Sequence, residues 1–197
     1  MNGLAHVARA VVTADDAGTA PPSGAQAEEI ALVRRAAAGD RAAFGALYER
    51  YLRAVHGILL AHAAAGRHGT DVDDHVHDVF LAALERLGTL RDPSAFGAWL
   101  AAIARNRARM ARRNMPTVLA LPDDVAAPAA AEPDAGLVLA AIRSLPAAYR
   151  EPLVLRLVEG MSGAEIAART GLTPASVRVN LHRGMTQLRQ KLGGAHA

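Results

Sequence analysis

Apolar positions recur at helical spacing along most of the chain, and no stretch alternates convincingly in the way a half-buried strand requires. Helix signals begin near Glu28. Gly39-Asp40 separates a short first helix from a longer one, with Asp40 as its N-cap and Phe44, Leu47, Tyr48, Tyr51, Val55 and Ile58 as its apolar face. The run 61–70, AHAAAGRHGT, breaks the pattern and reads as a loop. The next helix, 71–88, is acidic at its start, where carboxylates complement the helix dipole. Its predicted buried face is Val76, Val79, Phe80, Ala83, Leu84 and Leu87. Asp92-Pro93 supplies an N-cap and first-turn proline for another helix, which carries Phe96, Trp99, Leu100 and Ile103 inward. Helices resume at Leu137. They break at Leu145-Pro146, then continue through Tyr149, Leu153 and Leu157 to an end near Gly160.

The last stretch predicts two helices around a tight turn. Ser162 and Glu165 have the spacing of a capping box, and Gly171 suits a helix end because it accepts positive φ. Thr173 can cap the second helix, with Pro174 in its first turn. Val177, Leu181, Met185, Leu188 and Leu192 then form an apolar stripe, while Arg178, His182, Arg183 and Arg189 lie off it. Many helical hairpins share such caps. Charge favours the DNA-reading version: Arg169, Arg178, Arg183, Arg189 and Lys191 face a single acid, Glu165.

Two stretches lack periodicity. Residues 1–27 are rich in Ala, Gly and Pro and read as a disordered tail. Residues 115–136 hold four prolines and four acids with no base, and read as a flexible linker. The predicted fold is therefore all-α: two small helical domains, 28–114 and 137–193, on a tether, the second a helix-turn-helix.

Composition refines this. The net charge is +3, and 21 of the 22 basic residues are Arg in a chain dense with Ala, so Arg abundance alone says little and its placement matters. Arg105, Arg107, Arg109, Arg112 and Arg113 fall within nine residues without an intervening acid, more than a helix dipole needs, which suggests a phosphate-tracking face. The chain has no cysteine, which excludes disulfides and Cys-ligated metal. No apolar run is long enough for a membrane span, and the N-terminus lacks the pattern of a signal peptide. A cytoplasmic protein is expected.

DDHVHD at 73–78 contains metal-ligand types, but His75 and His77 are two apart and diverge on a helix, so no metal site is expected. No nucleophile–base pair, nucleophile elbow or glycine-rich phosphate loop is present. Catalysis, a cofactor and a small-molecule substrate are not expected. A metal-dependent hydrolase built on the His-Asp run is the weakest alternative; a helix-turn-helix regulator that binds an operator as a dimer is a stronger one.

Four stretches in order, GDRAAFGALYERY at 39–51, DVDDHVHDVFLAAL at 71–84, FGAWLAAIARNRARMARR at 96–113 and the segment 145–184, resemble the extracytoplasmic-function (ECF) sigma factors of bacterial RNA polymerase, in the sigma-70 family. The resemblance implies two helical domains that bind core RNA polymerase and place it on promoter DNA, usually under control of an anti-sigma factor. It assigns polymerase docking to Asp74, His77, Asp78 and Leu81. It assigns minus-ten element capture to the loop 87–93 and the helix through Asn106, with Arg107, Arg109, Arg112 and Arg113 on phosphates. It assigns the minus-thirty-five element to Pro174, Ala175, Ser176, Arg178, Val179, His182 and Arg183. Two departures stand out. The docking motif, usually Asp-Leu-x-Gln-Glu, is here Asp74-His75-Val76-His77-Asp78, and Val179-Asn180 replaces a usual Ser and Arg in the reading helix.

Overall fold

The computed structural model describes residues 23–63, 70–113 and 135–193. All regular structure among them is helical: α1 (Ser23–Ala37), α2 (Arg41–His62), α3 (Thr70–Arg86), α4 (Phe96–Arg113), α5 (Ala135–Arg143), α6 (Ala147–Leu157), α7 (Gly163–Thr170) and α8 (Pro174–Gly193). Short 3-10 turns at Leu87–Thr89 and Pro93–Ala95 lead from α3 into α4.

The predicted caps form. Asp40 accepts the Ala43 amide at 3.0 Å, and Asp92 accepts the Ser94 amide at 2.9 Å. Ser162 and Glu165 exchange both capping-box bonds, at 3.2 and 2.8 Å. Gly171 closes α7 at φ +74, its amide bonded to the Ala167 carbonyl at 3.1 Å.

Three details differ from the sequence expectation. Helix α1 begins at Ser23 rather than Glu28, so the last residues assigned to the tail are helical; Ala25 and Ala27 favour helix, and Glu28 and Glu29 are held by Arg50. Helix α5 begins at Ala135 rather than Leu137, so the last two residues assigned to the linker are helical. Leu84 is 49% exposed instead of buried. It lies about 90° round α3 from the centre of the stripe formed by Val72, Val76, Val79, Phe80, Ala83 and Leu87. The tail up to residue 22, the loop 64–69 and the linker 114–134 lie outside the described residues.

The two helical units, α1–α4 and α5–α8, pack against each other and share their apolar interior. One cluster runs from Tyr51, Phe96 and Leu100 into Ile142, Leu153 and Leu188, and a second joins Ala54 to Leu155, Ile166 and Val177. Glycines set the approach. A Cβ on Gly57 would stand 2.6 Å from Leu155 Cδ2, one on Gly97 2.6 Å from the Ala168 carbonyl, and one on Gly171 2.4 Å from the Ala98 Cβ.

Polar contacts ring this junction. Arg169 of α7 reaches Glu29 of α1 at 2.8 Å and lies 4.5 Å from the centre of the Tyr51 ring, whose hydroxyl donates to Glu29 at 2.6 Å. His56 Nδ1 lies 2.7 Å from Glu159, and His62 Nε2 3.3 Å from Glu151. The hydrogen bond to Glu159 raises His56 above its ordinary 6.5 despite partial burial. Burial pushes Glu151 up, but the bonds from Arg105 and His62 outweigh it and hold the carboxyl below 4.5. The His56 contribution is therefore complete below pH 6.5 and lost as pH rises through its raised value. That of Glu151 is complete above pH 4.5 and lost as pH falls through its lowered one. Thermal melts from about pH 4 to about pH 8 should peak between these two limits. His56→Gln should flatten the alkaline side; a wild-type midpoint still rising towards pH 8 would contradict the assignment.

Candidate functional site

Three exposed helical faces carry the residues singled out in the sequence. The first is the outer side of α3. Its inner stripe is buried, and geometry alone then turns Asp74, His77, Asp78 and Leu81 away from the core. Leu81 is 60% exposed, beside the exposed Leu84. Asp74 is exposed. His77 donates from Nδ1 to the Asp73 carbonyl at 3.0 Å. Asp78 is paired with Arg107, whose Nη2 also lies 3.4 Å from His75 Nδ1.

The second face is the C-terminal half of α4. Arg109, Arg112, Arg113 and Asn106 are exposed there, with Asn106 Nδ2 3.9 Å from the Met110 sulfur. Arg107 points the other way, to Asp78, and so ties this helix to the α3 face rather than joining its neighbours. Trp99 is half-buried against Phe96, ring centres 5.9 Å apart, which makes it part of the core rim.

The third face is the start of α8. Thr173 accepts the Ser176 amide at 3.1 Å, and the two hydroxyls are 2.8 Å apart, so Ser176 helps to fix the turn. Pro174, Ala175, Ser176, Arg178, Val179, His182 and Arg183 are all exposed, while Val177 is buried to 1%. An exposed apolar Val179 at 44% between two arginines gives this face a methyl-bearing spot as well as positive charge. Such a spot can contact a thymine methyl.

Comparison with known proteins decides the family. Residues 47–115 match the family described as Sigma-70 region 2, and residues 135–188 the one described as Sigma-70, region 4. The RNA polymerase sigma factor CarQ of Myxococcus xanthus is 36% identical over 163 residues, covering 79% of this chain and 92% of that protein. The chain belongs to the ECF group of the sigma-70 family. Accordingly it is a sigma factor and directs transcription initiation. The ECF RNA polymerase sigma factor SigD of Mycobacterium tuberculosis is 34% identical over 185 residues, with 84% of each chain covered. Among solved structures, that of CnrH in complex with the cytosolic domain of CnrY is similar with a TM-score of 0.58 and 30% identity, over 84% of this chain and 97% of that one. The family is regulatory, and among the described residues of this sigma factor no helix is long and apolar enough to cross a membrane.

Sequence reasoning missed the residues that join the two units of the sigma factor. Arg105 was grouped with the DNA-facing arginines, but its Nε and Nη2 bond the two oxygens of Glu151 at 2.9 and 2.7 Å, and Nη2 also reaches the Thr170 carbonyl at 3.1 Å. Glu151 is only 6% exposed. A signal for it was present: an acid set among Pro152, Leu153, Val154 and Leu155 on a helix is buried, and a buried carboxylate needs a cation.

Proposed function

We propose that this sigma factor docks on core RNA polymerase through the outer face of α3 and reads the promoter with two separate faces. Residues 28–114 form domain two, which engages the minus-ten element through the loop 87–93, Asn106 and the arginines of α4. Residues 137–193 form domain four, which engages the minus-thirty-five element through α8. The supporting observation is the α3 surface: Leu81 and Leu84 stand in solvent beside Asp74 on a helix whose opposite side is fully packed. A surface leucine pair next to a carboxylate suits a partner with an apolar notch and a basic rim. Arg107 supports the reading in a second way, because it holds Asp78 in a fixed place on that rim.

The chemistry asked of these faces is binding, not bond-making. Arginines on α4 and α8 offer planar forks for phosphate or guanine, and the duplex is placed by many such contacts. The reading includes no enzyme activity, cofactor, metal or small-molecule substrate, and places the protein in the cytoplasm with its polymerase. An anti-sigma factor is a further expected partner, supported by the complex of CnrH with the cytosolic domain of CnrY.

The docking face is tested with Asp74→Lys and Leu81→Glu. Both sites are exposed, so the helical signal and melting point should hold. Each variant should compete about tenfold less well for core polymerase against the parent chain, the scale of an interface contact worth about 1–2 kcal/mol. Competition equal to the parent by both variants would rule this face out.

A further inference from the structure

The packed arrangement cannot serve both promoter elements at once. Sites at minus ten and minus thirty-five lie about 25 base pairs apart, or about 85 Å at about 3.4 Å per base pair. A packed chain of this length is only about 40 Å across. The covalent path from Arg113 to Ala135 can extend about 75 Å, so parting the two units bridges the gap without breaking the chain. The junction between the units must therefore open, and what its residues do afterwards becomes a question of chemistry.

Arg105 gives the answer. It stands at the head of a helical row, Arg105, Arg109 and Arg112, spaced i, i+4, i+7. Arg109 and Arg112 are exposed, but Arg105 is half-buried against the other unit. Its partner there is a two-pronged carboxylate, Nε to Oε2 at 2.9 Å and Nη2 to Oε1 at 2.7 Å. Arginine grips a phosphate with the same planar fork. Glu151 is thus presented to the first member of a cationic row in the geometry a DNA phosphate would take.

We propose that Glu151 is a built-in phosphate mimic: it holds Arg105 in the closed chain, and Arg105 exchanges it for a DNA phosphate when the two units part. This rests on the reading of α4 as a DNA face. Closure then competes directly with DNA at one side chain, and a phosphate that captures Arg105 removes the three hydrogen bonds it makes across the junction, two to Glu151 and one to the Thr170 carbonyl. Glu151 left behind keeps His62 as a neighbour on the other unit only while closed, and becomes solvated on opening. Other polar ties, among them His56 to Glu159, Arg169 to Glu29 and Arg143 to the Leu60 carbonyl, part with the same movement.

The chain has no cysteine, so a label pair can be placed freely. Ala46→Cys on α2 and Gln190→Cys on α8 put one dye on each unit at exposed positions. The DNA probe is a duplex of about 40 base pairs of mixed sequence, since phosphate contacts do not depend on sequence. The parent should show high energy transfer alone and lower transfer with the duplex. Glu151→Gln should lower transfer without DNA and bind the duplex about tenfold more tightly, as expected when a charge-assisted competitor is removed. Arg105→Ala should also lower transfer, yet gain no such affinity and show a salt slope shallower by about one unit. A merely structural contact would move affinity the same way in both variants, and that result overturns the proposal, as does an unchanged transfer in a folded Glu151→Gln. Arg109→Ala separates the underlying reading: it should lose about one unit of slope with transfer unchanged. If Arg109→Ala does so while Arg105→Ala keeps the parental slope, the exchange is wrong but the DNA face stands. If neither slope changes, the DNA face itself falls and takes the proposal with it. Should Glu151→Gln fail to fold, Arg105→Lys replaces it. That variant keeps the charge without the fork, so it should open the chain and retain the parental slope; unchanged transfer would overturn the exchange.

Discussion

Transcription from a promoter with an intact upstream element is expected to fall about a hundredfold when Arg178 and Arg183 are both replaced by Ala, the sum of two contacts worth about 1–3 kcal/mol each at a guanine edge. The same variant should transcribe a template with that element scrambled at nearly the parental level. Both side chains are exposed on the first turns of α8, where a helix-turn-helix reader enters the major groove. Single variants divide the roles. Loss of a guanine contact relaxes preference at one base pair, whereas loss of a phosphate contact weakens all sequences alike and lowers the salt slope by about one. Val177→Ala serves as the contrast. That residue is buried to 1% against Leu155 and Ile166, so it should lower the melting temperature while leaving sequence preference unchanged. Parental activity and preference in both arginine variants would remove α8 from the reading role.

The helices and their caps were legible because they follow from neighbours in sequence. Asp40, Asp92, Ser162, Glu165, Gly171 and Thr173 act within a few residues of themselves, so local chemistry fixed them. The exposed faces of α3 and α8 followed from periodicity in the same way. Packing between the units was not legible, because a tether sequence says how far two units can separate and nothing about whether they attract. Leu84 shows a smaller version of the same limit: it sits at the stripe edge, where a neighbour decides burial and α3 has none. Yet the junction left traces. Gly57 and Gly97 interrupt otherwise sound helical patterns, and glycine within a helix commonly marks the close approach of another backbone or side chain. Glu151 among apolar residues was the other trace. Together they point to a junction, although only the folded chain pairs Gly57 with Leu155 and Glu151 with Arg105.

Gly171 tests that junction and the turn of the helix-turn-helix at once, and substitution there should have a large effect. Two separate costs meet at this residue. At φ +74 any side chain is strained, by about 1–2 kcal/mol. A Cβ would also stand 2.4 Å from the Ala98 Cβ and 3.1 Å from its Cα, across the junction, and overpacking of that kind costs about 1–3 kcal/mol. Gly171→Ala should therefore lose the sum of the two in denaturant unfolding if the chain stays closed. Ala98→Gly removes the opposing methyl but cannot relieve the backbone. The double variant is thus expected to recover the packing share and retain the strain share, ending between the parent and the single variant. Ala98→Gly alone should be mildly destabilising, since glycine weakens a helix by about 1 kcal/mol relative to alanine. That background is subtracted in the cycle, and the remaining coupling between the two sites should be favourable. A coupling of zero would mean that α7 and α4 do not meet at Ala98, and that Gly171 is needed for the turn alone. A favourable coupling ties the turn of the helix-turn-helix to the packing of the α1–α4 unit through one pair of small residues.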